Sequence, residues 1–164
     1  MLDATALLDI HDRAHRSLAG LLAHVAGLDP ADLDRELPGF GYPSIRQQLH
    51  HALGAERYWI GVLAGSFVID DDGDAYPDAA ALQRMRREVS EQTTGYLRRA
   101  TATELNEARP LITWGGRERV LVPAHVVMRT VTHLFQHQGQ VTAMCRLLGQ
   151  PVDPGLDYPH GPPA

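Results

Sequence analysis

Apolar residues recur at three- and four-residue intervals near the start of the chain, with Leu7, Ala14, Leu18, Leu21 and Val25 on one stripe. That period predicts an amphipathic first helix from about Asp3 to Gly27. Pro30 and the segment ELPGFGYPS break the pattern. It resumes after Ser44, a suitable N-cap, and predicts a second helix to about Ala64. The acidic stretch DDDGDAYPDA separates this from a third helix over about Ala79 to Ala100. In PLITWGGRERVLVPA, two short β-prone runs flank Gly115-Gly116, which signals a hairpin. Pro123 fits the first turn of a fourth helix running to about Leu148 and closed by Gly149 and Pro151. The Pro- and Gly-rich residues 150–164 read as an irregular tail. The expected architecture is all-α: one four-helix bundle over residues 1–149, with a short β-hairpin before the last helix.

Composition narrows the function classes. The chain has 164 residues, 44% of them hydrophobic, enough for one domain with a sizeable core. No apolar run approaches the roughly 18 residues needed to span a bilayer. The N-terminus lacks a basic segment followed by an apolar one, so the expected location is cytoplasmic. Net charge is −5, and every basic side chain is arginine. The acidic balance argues against nucleic acid as a partner, because phosphate binding needs a basic footprint. Arg84, Arg86 and Arg87 read as a solvated helix face. The single cysteine, Cys145, excludes an internal disulfide and reads as a packing residue. The acidic stretch lacks the glutamate and glycine register of a calcium loop.

The candidate chemistry lies in the histidines. His133 and His137 in VTHLFQHQGQ are four residues apart, which places them within about 40° of each other on one helical face. Val126, Gln140 and Met144 share that face, so the pair points inward with Arg129 at its edge. Two imidazoles stacked in an apolar setting both need partners, and one divalent ion serves both. A third ligand should come from a facing helix, and QLHHALGAERYW in the second helix offers His50 and His51. His50 has Arg46 and Arg57 at helical spacings, whereas His51 has Gln47, Ala55 and Tyr58. Coulomb repulsion therefore favours His51. A rival pair, His11 and His15, reads as a surface-edge pair because His15 falls at the margin of the first stripe. His24, His125 and His160 have no spaced partner.

With these residues in view, the chain resembles the DinB/YfiT-like family of bundle metalloproteins over nearly its whole length. SIRQQLHHALGAERYW is similar to that family's second-helix motif, and aligning Ser44, Glu56 and Trp59 puts His51 at the ligand position. HVVMRTVTHLFQHQGQVTAMCRLLG resembles the fourth-helix motif, with His133 and His137 on the other two ligands. Gln138 stands where the family typically has arginine. The resemblance implies a four-helix bundle that holds a divalent metal on three histidines near one end and often dimerises. Three imidazoles suit Zn or Ni foremost, and also Fe, Mn or Cu.

Three histidines leave a coordination position open, as catalytic sites do. Some members of the family transfer low-molecular-weight thiols, such as mycothiol or bacillithiol, to electrophiles. The leading expectation is therefore a metal-dependent thiol S-transferase whose partners are a small thiol and an electrophile. The runner-up is a metal-dependent hydrolase, for which Glu56 is a poor base because it points away from His51. A non-enzymatic metal-binding or stress-response protein is the third class. Gln140 is a candidate to orient a ligand, and Trp114 a candidate wall of the open side. A homodimer is expected, with the hairpin edge as one contact.

Overall fold

A computed structural model describes residues 1–161; residues 162–164, the end of the expected tail, lie outside the described residues. The helices are α1 (Ala4–Val25), α2 (Pro30–Asp34), α3 (Ile45–Ala64), α4 (Ala79–Arg99), α5 (Ala102–Asn106) and α6 (Pro123–Leu147). The strands β1 (Arg109–Thr113) and β2 (Arg117–Leu121) form an antiparallel hairpin before α6. The four long helices are the four read from the periodicity. Their starts follow local chemistry. Asp3, Ser44 and Asp78 each accept a hydrogen bond from an N–H in the first turn of α1, α3 and α4, a contact worth about 1 kcal/mol. The start of α6 has no side-chain cap and instead places Pro123 in its first turn, where the missing N–H costs nothing.

The short helices α2 and α5 were not expected, because five residues are too few to show a period. Their signals were local: Asp29 caps α2 with Pro30 in the first turn, and Thr101 caps α5. The hairpin pairs Arg109 with Leu121 and Thr113 with Arg117. Gly115 and Gly116 turn it at φ of +71° and +72°, a region open to glycine at little cost.

The long helices close a ring in the order α1–α4–α3–α6, each packed on its two neighbours. Two apolar layers fill the ring. One is built on Leu18, Leu53, Val89 and Leu134; the other on Leu7, Ile60, Leu97 and Val127. Between them along α1, α3 and α4 lie buried polar residues: His11, His15, Glu56 and Thr93. Among the described residues, no helix is long and apolar enough to cross a membrane.

Candidate metal centre

His51 on α3 meets His133 and His137 on the neighbouring α6. Each offers one ring nitrogen, and these atoms lie within 4.8 Å of one another, so the group could hold a metal ion. The ring centroids are 4.4 to 5.2 Å apart. Nε2 of His133 and Nε2 of His137 stand 3.2 Å apart.

Gln48 explains how one of these rings is oriented. It lies three residues before His51, hence on the same face of α3. Its Nε2 donates to the Tyr42 carbonyl and to Gln140 Oε1, each at 2.8 Å. With both donor hydrogens so used, the amide oxygen is the atom that faces His137, and it accepts from Nδ1–H. In the neutral ring, Nε2 of His137 then carries the free lone pair, directed at His133. Tyr42 stacks on the third ring, His51, with centroids 3.9 Å apart.

The electrostatics keep the cluster unprotonated. Burial, then the neighbouring His137, push both His51 and His133 down to about 4; Arg129 adds to the effect on each. Burial also lowers His137. Near neutral pH the group therefore presents bare imidazole nitrogens, the form that ligates metals.

A cavity of 690 Å³ opens on this cluster, with His51 and His133 in its wall. His50 also lines it but is turned toward the acidic loop, where its Nε2 donates to Asp70 at 3.3 Å and its ring packs on Tyr76. Asp70 in turn accepts from Arg57 at 2.7 Å and from the Tyr76 hydroxyl at 3.0 Å. The aromatic wall is not Trp114, which is 71% exposed at the tip of the hairpin and does not line the cavity. It is Tyr42, Tyr58 and Trp59. Tyr58 does reach the hairpin, since its hydroxyl accepts from the Trp114 N–H at 2.8 Å. Gln140 hydrogen-bonds to Gln48, which in turn accepts from His137, so its link to that ring runs through Gln48.

The reading of His11 and His15 as a surface-edge pair is corrected by the fold. They are 1% and 2% exposed. The single stripe underestimated the buried arc of α1, which packs against both α4 and α6. Glu56 on α3 accepts from His11 Nε2 at 2.8 Å, from His15 Nε2 at 3.0 Å and from Thr93 Oγ1 at 2.6 Å. Burial alone would raise the Glu56 pKa, but His15 and His11 outweigh it and hold the carboxyl well below its usual range. This buried carboxylate and its two imidazoles are a second group whose ligand atoms could hold a metal ion.

The other singled-out residues fall into place by packing. Cys145 is fully buried, and burial pushes its thiol up to about 11, so it is an inert core residue. Gln138 is buried beside α1 and accepts from Ser17 Oγ at 3.1 Å, away from the three-histidine cluster. Arg84 and Arg87 are exposed, whereas Arg86 reaches α1 and donates to the His15 carbonyl.

No curated protein matches this chain. The family model described as "DinB superfamily" matches residues 13–141, a span that runs from within α1 to within α6 and takes in Gln48 and all three clustered histidines. With the four-helix ring and the two motifs that carry His51, His133 and His137, that match over most of its length establishes that the chain belongs to the DinB superfamily.

Proposed function

We propose that His51, His133 and His137 hold a divalent metal ion, Zn or Ni foremost, and that the protein transfers a low-molecular-weight thiol of the mycothiol or bacillithiol type to an electrophile. The observation that carries the proposal is the convergence of three neutral imidazoles, two of them, His51 and His133, on the wall of a cavity large enough for a small molecule and the third, His137, buried behind them. The donor set fits a divalent ion. All three ligands are nitrogen, and His137 has its second nitrogen tied to Gln48, the kind of outer contact that fixes a ligating ring. A divalent ion held there would lower the pKa of a thiol or a water in its open position.

The chain's own residues favour the thiol over hydrolysis. Hydrolysis needs a base beside the attacking water. Glu56 is fully committed to His11, His15 and Thr93, and Asp70 to Arg57, Tyr76 and His50, which leaves Asp71, on the cavity wall beside Tyr42, as the acid a hydrolase would have to use. A bound thiol needs no such base once it is ionised. Tyr42, Tyr58 and Trp59 offer flat apolar surface to an electrophile and limit water beside the histidines.

We also propose a homodimer. The hairpin exposes Ile112, Trp114 and Val120 at 51%, 71% and 68%, more apolar surface than a two-stranded edge normally leaves bare.

The experiment is chelation followed by add-back. Metal-free protein is assayed with mycothiol, bacillithiol and glutathione against an epoxide or a chloro-aromatic, and again after metal is restored. Conjugation that appears only with metal supports the proposal. Conjugation that persists in verified metal-free protein refutes the metal's role. Ester or amide hydrolysis with no thiol transfer makes the protein a hydrolase.

A further inference from the structure

The nitrogen-bearing side chains on the cavity wall are not equivalent. Arg46 is matched by Asp34 and by Asp74, and His50 by Asp70. Arg129 lines the same cavity, yet among the described residues no carboxylate lies within salt-bridge distance of it. Arg129 is exposed, with one aromatic contact. Its guanidinium sits over the Trp59 ring, 5.2 Å from the centroid. Stacking occupies the face of the guanidinium and leaves its in-plane N–H groups free, the edge that grips a carboxylate in bidentate fashion. Arg129 precedes His133 by one helical turn on the same face, so the two side chains are neighbours. Its charge acts on both His51 and His133.

The charge balance points the same way. Three neutral imidazoles bring no negative charge to a divalent ion. Ion and Arg129 together would leave this end of the cavity with three positive charges. A thiolate offsets one, and a second anionic group on the same molecule offsets another. Asp71 and Asp72 also line the cavity, Asp71 on the side of Tyr42, and neither is within salt-bridge distance of Arg129.

We propose that Arg129, stacked on Trp59, is an anion subsite, and that the thiol accepted beside His51 and His133 carries a carboxylate. This deepens the thiol reading and rests on it.

The test uses cobalt-loaded protein, in which sulfur coordination gives a charge-transfer band. The probes are 3-mercaptopropionate, neutral 2-mercaptoethanol and sulfur-free propionate, the last followed by calorimetry. Wild type should bind the anionic thiol about tenfold more tightly than the neutral one, the yield of one charge-assisted contact at a solvated site. Arg129→Gln, with unchanged cobalt content, should erase that difference while leaving the Kd of 2-mercaptoethanol as it was. Equal affinities in wild type, or a preference that survives Arg129→Gln, overturns the subsite and leaves the thiol reading standing. If no thiol gives the band, the thiol reading fails, and propionate decides the subsite by itself. Heat of propionate binding that disappears in Arg129→Gln upholds it, and no heat, or heat indifferent to Arg129, overturns it.

Discussion

Gln48→Leu keeps roughly the volume of the side chain and deletes three hydrogen bonds at once: those with His137 Nδ1, the Tyr42 carbonyl and Gln140 Oε1. Gln48 is fully buried and His137 is 5% exposed, so water cannot replace the contact at His137. Two losses follow. In metal-free protein, a buried donor left without an acceptor costs about 1–3 kcal/mol. For a chain of this size each kcal/mol lowers the thermal midpoint by about 2–4 °C, so a fall of about 2–12 °C is expected by circular dichroism. In the metal-bound form the His137 ring is no longer fixed with Nε2 toward the cluster, and removal of such an outer contact typically weakens metal binding about 10–100-fold. That factor corresponds to about 1.4–2.7 kcal/mol and is read by competition against a chromophoric chelator. His50→Ala is the control, since it perturbs the same helix without touching the cluster. The reasoning is refuted if Gln48→Leu is destabilised as calculated and still binds metal as tightly as wild type. In that case Gln48 serves packing alone, and His137 does not depend on it to face an ion.

Three further outcomes are expected. His51→Ala, His133→Ala and His137→Ala should each lose most bound metal by mass spectrometry while His50→Ala retains it; the opposite result for the two α3 histidines would exchange their roles. Glu56→Gln should destabilise the fold by about 3 kcal/mol at pH 7, because a buried ionic acceptor is replaced by an amide whose NH₂ faces a ring N–H. The folded-state pKa of Glu56 is depressed, so its stabilisation is complete above the unfolded value near 4.3 and is lost as pH falls through the folded one. The gap between wild type and Glu56→Gln in denaturant melts should therefore narrow below about pH 4, and a gap that widens there contradicts the assignment. Val120→Glu, on the exposed face of β2, should convert a dimeric mass in light scattering to a monomeric one; a wild-type monomer at micromolar concentration removes the dimer altogether.

Local chemistry was enough to determine much of this protein. The period of Leu7, Leu18, Leu21 and Val25, the cap at Ser44, Pro123 and the Gly115-Gly116 turn each act within a few residues, and the four long helices and the hairpin follow from such signals. The pairing of His133 with His137 is local too, because four residues make one turn of helix. His51 was separable from His50 by the charges at helical spacing. Gln48 carried a usable signal three residues before His51, but a glutamine has too many solvated alternatives to be singled out without its partners. What the tertiary structure decided are the matters that depend on neighbouring helices. Whether His11 and His15 are edge or core residues depends on how much of α1 its two neighbours cover, and Glu56, 45 residues further on, supplies the acceptor that makes their burial tolerable. Trp59 rather than Trp114 walls the cavity because α3 borders it and the hairpin tip does not. Arg129 reads in one dimension as an edge residue of α6; only the packing of α6 on α3 stacks it on Trp59 and leaves its charge facing the cavity without a carboxylate. Hydrophobic period encodes the face that a helix buries, but the partner met by each polar group on that face is set by side chains on other helices, which no local pattern contains.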